Sequence, residues 1–514
     1  MKKIVLASLA LALGWSGTAF AQTEVDALRY SRLGVSGTAR IQGLGGAQSA
    51  LGSDVSSLFV NPAGLGMFRR SEFTVTPAIQ SSKIQASING NSFSDNRSDF
   101  TLPQLGIVFA NRKDDEEVGD WRGVSFGIGL TRLNNFNEQL RPYSVFSGET
   151  DPTIVEYFAD QAYLKNRTQA DLDDELNDGI TTLEGLGYGA YLLNFDEEGN
   201  PLPEYREGRI LQQEDIIRTG AQNQVDFGVG TSFRDKLYLG ASLGIVTTNF
   251  TQQSIYREVE DSPNTPFTSL ELYDEFTTRG TGINLKVGVI ARPVDALRLG
   301  LSIQTPTAYT LTDEYQRTLY ANFDDSGTER AAELPGQFTY RLTTPFRATG
   351  GAAVFLGKYG FLTADVEYVN YSSARFREDN DDLGSAGNYF DEVNNRINNL
   401  KSTWNYRFGA EGRFDIFRVR AGYAFSADPD TDTNFEAGAI NQKFGSVSSY
   451  TLGAGVRLQQ FFVDLAYVHA VGEVGYAPYV SNSFYTPFAN ASSEPVVDIE
   501  KVQNSAVLTV GYNF

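Results

Sequence analysis

The chain has 514 residues, 20% of them charged, with a formal net charge of −21 and no cysteine. The acidic balance disfavours nucleic acid as a partner, and the missing thiols exclude disulfides and thiolate metal sites. No run of 18 or more apolar residues occurs, so a membrane-spanning helix is not expected.

The first segment reads as an export signal. Lys2 and Lys3 precede an apolar run from Ile4 to Leu13, interrupted by Ser8, and Ala19-Phe20-Ala21 offers a small-x-small cleavage site. The expected division is a signal peptide over 1–21, an N-terminal segment over 22–70, and a barrel over 71–514.

Residues 22–70 carry no strand pattern. They are rich in Gly, Ser and Ala, with Gly43-Leu44-Gly45-Gly46 and Asn61-Pro62-Ala63-Gly64 as turn formers. So few apolar groups cannot build a core alone. Inside a barrel they would have a wall to pack on, so the segment is expected to be a plug.

From residue 71 onward, alternating segments recur. Fourteen are expected, near 71–82, 101–112, 121–136, 223–233, 237–257, 276–292, 296–318, 337–357, 360–377, 402–414, 416–426, 446–459, 461–475 and 501–514. In the third, Val124, Phe126, Ile128 and Leu130 alternate with Ser125, Gly127, Gly129 and Thr131. Connections after even strands are short, as at Asp415 and Gln460, and those after odd strands are long. That alternation belongs to an outer-membrane barrel, with short periplasmic turns and long outer loops. The expected fold is therefore an all-β membrane protein: a 14-stranded antiparallel transmembrane β-barrel with an N-terminal plug and a long, partly helical extracellular loop.

That loop spans 137–222. Ile154, Phe158 and Ala162, then Leu172, Leu176 and Ile180, lie at helical spacing. The last strand places Phe514, Tyr512, Val510 and Leu508 on one face, as a lipid-facing row requires.

With the plug and strands in view, a family resemblance emerges. The stretch from Ala50 to Leu65, containing Asn61-Pro62-Ala63, resembles the plug signature of the FadL/TodX family of outer-membrane hydrophobic-compound transporters. Thr344-Pro345-Phe346-Arg347, Ala364-Asp365-Val366-Glu367-Tyr368 and Arg420-Ala421-Gly422-Tyr423 extend the similarity over most strands. The resemblance implies passive uptake of long-chain fatty acids or related apolar compounds. It further implies gating by the plug and sideways release near a kinked third strand. Asn61, Pro62 and Ala63 match the plug motif, and Gly127 and Gly129 are the candidate kink. Strand parity points Arg347, Arg407, Arg413, Arg418, Arg420 and Lys286 inward, with Asp365, Glu367, Glu411 and Asp464. Of these, Arg347, Arg407, Arg420 and Lys286 are the candidate ligand-binding cations.

The expected partners are a hydrophobic small molecule and outer-membrane lipid, with the chain a monomer and no cofactor or metal implied. Two alternatives stand beside transport. One is a scaffold for another outer-membrane protein in surface secretion or attachment. The other is an outer-membrane enzyme. A catalytic triad would need His469, the single histidine, which parity sets on the outward face. Asp428 to Glu436 resembles the start of a calcium loop but lacks its glycine and final glutamate, so a solvated acidic loop is the better reading.

Overall fold

The computed structural model describes residues 23–88, 91–113, 119–146, 153–204, 209–260, 266–379, 387–430, 442–477 and 497–514. The expected signal peptide over 1–21 lies outside them.

Fourteen antiparallel staves close into a barrel. They are β1 (Glu72–Ile88), β2 (Asn91–Arg112), β3 (Trp121–Asn135, continued by Glu138–Phe146), β4 (Ile210–Phe233), β5 (Leu237–Glu260) and β6 (Phe267–Val294). Next come β7 (Leu297–Gln304 with Ala308–Phe323), β8 (Gly336–Thr343 with Arg347–Phe355) and β9 (Gly360–Asn370 with Arg375–Glu378). The last are β10 (Ser402–Phe414), β11 (Phe417–Ser426), β12 (Gln442–Arg457), β13 (Phe461–Tyr476) and β14 (Val497–Asn513). Each pairs with its sequence neighbour, and β1 pairs with β14 from Glu72↔Asn513 to Ser87↔Asp498, which closes the ring. Closure pairs every stave on both sides over at least part of its length, as strands in lipid require.

Pro306 interrupts β7 and Pro345 interrupts β8 side by side. Proline has no N–H for the ladder. The gap is patched locally: Thr307 N donates to Thr344 Oγ1 at 2.9 Å and Thr344 N to Thr307 O at 3.0 Å.

The two faces differ as a bilayer demands. Phe126 and Ile128, Ile283, Leu285 and Val287, Leu299, Leu301 and Ile303, and Val463 and Leu465 are exposed on the outside. Ser125, Asp226, Asn284, Lys286, Ser302, Asp464 and Thr509 are buried on the inside. Aromatic girdles bound the apolar band. At the short-turn end Phe461 packs on Tyr512 at 4.8 Å and Trp121 on Phe233 at 5.1 Å. At the other end Tyr368 meets Trp404 at 4.9 Å and Tyr450 meets His469 at 6.5 Å. On β13 the girdles are set by Phe461 and His469, and about nine tilted strand residues cross a bilayer. None of the described helices is long and apolar enough to cross one.

Several staves outrun expectation. β2 begins at Asn91 rather than near 101, β4 at Ile210 rather than near 223, and β6 at Phe267 rather than near 276. Only residues 89–90 separate β1 from β2, so the long-loop expectation fails there. The reason is physical. Above Phe100 the outward row of β2 becomes Ser98, Asn96, Ser94 and Ser92, so apolar alternation disappears although the ladder to β1 continues.

The N-terminal segment from Thr23 to Arg70 bonds to buried residues of β2, β5, β7, β9 and β14, namely Gln104, Ser242, Ser302, Asp365 and Thr509. It forms α1 (Glu24–Ser31), a short α2 (Ala39–Gln42), and 3-10 turns at Val55–Leu58 and Pro62–Met67. The segment after β3 carries α3 (Ile154–Leu164), α4 (Gln169–Asp178) and α5 (Leu183–Gly189). Thr153 and Glu156 cap α3 reciprocally. Ile154, Phe158 and Ala162 are buried as their spacing predicts: Ile154 and Phe158 pack among Tyr256, Phe267, Leu270 and Leu319 of the extended β5, β6 and β7, and Ala162 packs with Leu172 and Leu193. The second triplet holds less well. Leu172 is buried, Leu176 is exposed, and Ile180 lies beyond α4, where it bridges to Glu333. A sixth helix, α6 (Gly387–Asn398), follows β9.

Candidate functional site

The lower plug is fixed to the wall. Asn61 side-chain oxygen accepts from Ala63 N at 3.1 Å, which starts the Pro62–Met67 turn, and its amide donates to Ser49 O at 2.7 Å and to Val289 O of β6 at 3.3 Å. A Cβ on Gly288 would lie 1.9 Å from Asn61 Oδ1, so only glycine admits the plug there. Asp365 of β9 accepts from Gln48 N and Ser49 N at 2.8 Å each and from Ser49 Oγ at 2.5 Å. Ala39 N donates to Thr509 Oγ1 of β14 at 2.8 Å.

Gly127 and Gly129 belong to this contact. A Cβ on either would meet Leu58 of the plug, at 3.2 and 2.9 Å. Both keep regular register with β2 and with β4, so the expected kink is not at these two residues. The irregularities of β3 lie between Trp121 and Gly123, between Arg132 and Asn134, and between Leu140 and Tyr143.

Arg420 sits low in the barrel with an ion cluster. Its fully buried guanidinium pairs with Glu411 at 2.8 Å and Asp464 at 2.7 Å, and Arg457 joins Asp464 at 2.7 Å. Arg413 completes Glu411 at 2.8 Å.

The other three candidate cations stand together, higher up. Glu367 Oε1 accepts from Asn405 at 2.9 Å and from Arg347 and Arg407 at 3.3 Å each. Arg347 also donates to the Ser31 carbonyl of the plug. Lys286 donates to the Phe59 carbonyl, with its ammonium 4.4 Å from the Phe59 ring centre. These side chains line a void of about 40 Å³ with Leu33 to Ser36. Sequence reading thus grouped three residues that meet and one, Arg420, that does not.

Above them lies a larger cavity of about 350 Å³. The plug arm, Leu28 to Ser36, forms one side, and residues of staves β1 to β5 and β10 to β14 form the other. Leu33, Leu133, Phe136, Val447, Val468 and Val507 give it an apolar lining. Arg32 and Arg132 enter it without a carboxylate partner among the described residues: Arg32 donates to Gly445 O at 2.8 Å and rests over Phe444 at 5.6 Å. Arg407 borders both cavities. Neither Arg32 nor Arg132 was singled out in the sequence. Arg32 lies in the plug, where parity has no meaning, and Arg132 continues the outward row of Phe126, Ile128 and Leu130.

The cavity meets a discontinuity in the wall. The ladder between β2 and β3 runs from Arg112↔Gly123 to Gln104↔Thr131 and stops. Beyond it β2 pairs with β1 alone, and β3 with β4 alone. Three irregularities share this level: Pro103 in β2, a register shift at Pro77 in β1, and the one after Arg132 in β3. Proline supplies no ladder N–H, and Pro103 stands directly beyond the last β2–β3 rung, Gln104↔Thr131. Ala78, Thr101, Pro103, Arg132 and Leu133 line the cavity here. Phe100, 73% exposed, marks the neighbouring lipid boundary.

No protein-family model matches the sequence, and no curated protein matches it. Solved structures do. A FadL homologue from Pseudomonas aeruginosa aligns over 94% of this chain and 100% of its own, at 13% identity and a TM-score of 0.56. The chain has the FadL fold. A TodX monoaromatic hydrocarbon channel deltaS2 mutant shares the fold at 13% identity, covering 93% and 98%, with a TM-score of 0.51. The Pseudomonas putida toluene transporter TodX aligns over 94% and 99% at 15% identity, with a TM-score of 0.49.

On this FadL fold His469 lies in the upper aromatic girdle. Its Nδ1 is 2.8 Å from Asn504 Oδ1, and its ring neighbours Tyr450. Among the described residues no group of three or more His, Asp or Glu side chains could hold a metal. Residues 431–436 of the calcium-like loop fall outside the described residues.

Proposed function

We propose that this chain is an outer-membrane transporter for passive uptake of hydrophobic small molecules such as long-chain fatty acids or related apolar compounds. The carrying observation is the meeting of the 350 Å³ apolar cavity with the unpaired stretch between β2 and β3. A ligand enters from the extracellular side and settles between the plug arm and the wall. It leaves sideways at Thr101 to Arg132, level with the outer girdle, into lipid. The bonded lower plug, held at Asp365, Asn61 and Ala39, closes the straight route.

The energetics favour this route. Each CH₂ kept from water is worth about 0.8 kcal/mol, so an apolar relay avoids a large barrier for an acyl chain. No energy source need act, because the ligand moves from one apolar environment to another. One neighbour supports the cargo class in name: the TodX deltaS2 mutant is described as a monoaromatic hydrocarbon channel.

The test is uptake of radiolabelled palmitate and toluene by a strain lacking the gene and by the same strain carrying it. Faster uptake of at least one compound on complementation is expected. Equal rates across a panel of apolar compounds would contradict the proposal.

A further inference from the structure

The open stretch of wall is crossed by one side chain. Arg132 occupies a register position whose predecessors, Phe126 and Ile128, face lipid. Its guanidinium turns into the wall instead. Nε donates to Asn223 Oδ1 of β4 at 3.1 Å, and Nη1 donates to Thr101 Oγ1 of β2 at 3.0 Å. The group therefore spans β3 and ties the staves on either side of the discontinuity. It does so one residue above the last ladder rung, Gln104↔Thr131. A guanidinium near lipid is costly unless its donors are satisfied, so this crossbar is stable only in its bonded position.

The same residue holds the plug. Ser36 Oγ donates to the Arg132 carbonyl at 2.7 Å. Two residues on, the Asn134 amide donates to Arg32 O at 3.0 Å and to Gln222 Oε1 at 2.9 Å. The arm that walls the cavity thus ends on the irregular turn of β3 that carries the crossbar.

We propose that Thr101 and Arg132 form a latch that keeps the β2–β3 seam shut, and that the plug arm steadies this latch through Ser36. The proposal rests on the lateral route above. It makes Arg132 a positioning residue: it governs access between cavity and lipid, and the arm's displacement by ligand loosens it. Passage then requires a bound ligand, which prevents lipid from filling the cavity between turnovers.

The chain has no cysteine, so a single one can report. Ser505→Cys places a thiol on the cavity lining with little change in volume. The purified full chain is reconstituted in phosphatidylcholine vesicles. A palmitoyl-chain maleimide reports access from the bilayer, and a sulfonated maleimide reports access from water. Thr101→Val removes the hydroxyl while keeping the shape, and Thr101→Ser keeps the hydroxyl. Losing one hydrogen bond of about 1 kcal/mol corresponds to a rise of about five-fold in bilayer-side labelling. That rise is expected for Thr101→Val and in the same direction for Ser36→Ala, with Thr101→Ser near the parent rate and the sulfonated probe unchanged in all. Equal bilayer-side rates in parent and Thr101→Val, including no labelling in either, would overturn the latch. So would a parallel rise for both probes, which signals general loosening. Hydroxyl-dependent labelling in vesicles alongside unchanged cellular uptake would uphold the latch and fault the transport reading.

Discussion

Arg396 of α6 grips Glu24, the first residue of α1: its Nε lies 3.0 Å from each carboxylate oxygen. An outer helix thereby holds the upper end of the plug arm. Around this pair Tyr30, Tyr340, Phe338, Phe376 and Phe390 form one buried cluster. The arm is held at three points: by α6 on Glu24, by Arg347 on Ser31 O, and by Ser36 on Arg132. A ligand entering from outside meets the upper contact first.

Removing Arg396 should free the arm. Glu24 is 2% exposed, and an unpaired buried charge costs about 3 kcal/mol. Burial already pushes the Glu24 carboxyl up from its ordinary value, with Arg396 opposing. Without Arg396 it rises further. The folded-state value then lies above the unfolded one, so the defect is full at neutral pH and fades as the pH falls and the carboxyl takes a proton. Limited proteolysis of Arg396→Gln should cut near residues 24–36 faster at neutral pH, with the difference shrinking on acidification. The exchange Glu24→Arg with Arg396→Glu should recover part of the protection.

Cavity volume should limit cargo. Ala470 lines the large cavity from β13. Ala470→Trp fills part of it and should weaken binding of a fluorescent acyl probe by about tenfold, equivalent to ~1.4 kcal/mol. Circular dichroism should stay that of the parent.

The plug's lower anchor should govern leakage. Asp365→Ala removes an acceptor that serves Gln48 N, Ser49 N and Ser49 Oγ. Hydrogen bonds to a charged group are each worth about 1.5–3 kcal/mol, so the lower plug should loosen. Planar-bilayer recordings should show ion conductance well above the parent's.

The outer face should reject charge. Leu301 is exposed mid-strand on β7. Leu301→Arg should destabilise the chain by about 2–4 kcal/mol in urea unfolding from lipid vesicles, the cost of a cation near the bilayer midplane. A change within experimental error would mean that this face does not contact lipid.

Strand count and facing were legible because a bilayer writes them into the sequence. Every second residue of Val463 to Tyr467 must be apolar, and Asp464 must hide inside. Where the strands leave the membrane that pressure ends, and the extensions of β2, β4 and β6 left no periodic trace. Three lumen cations, Lys286, Arg347 and Arg407, followed from parity alone. Parity also set Arg420 inward, where it is buried, but parity gives the face of a residue and nothing of its height in the barrel, so it could not separate Arg420 from the other three. Parity misplaces Arg132. That residue reads as outward, and only the end of the β2–β3 ladder lets its guanidinium turn into the wall. Gly127 and Gly129 suggested a bend because glycine permits one. In the fold they make room for Leu58, a contact 69 residues away in sequence from Gly127 and invisible to local reading.

The most direct test follows the cargo through the wall. Cells carrying the chain are supplied from outside with a palmitate analogue bearing a diazirine near its methyl end, irradiated during uptake, and the labelled residues mapped by mass spectrometry. Labels are expected on the cavity lining, at Leu133, Phe136 and Val468, and on both lips of the seam, at Phe100, Thr101 and Leu130. Labels that instead run down the lower plug, past Asn61 and Leu58 to the short-turn end, would contradict lateral release.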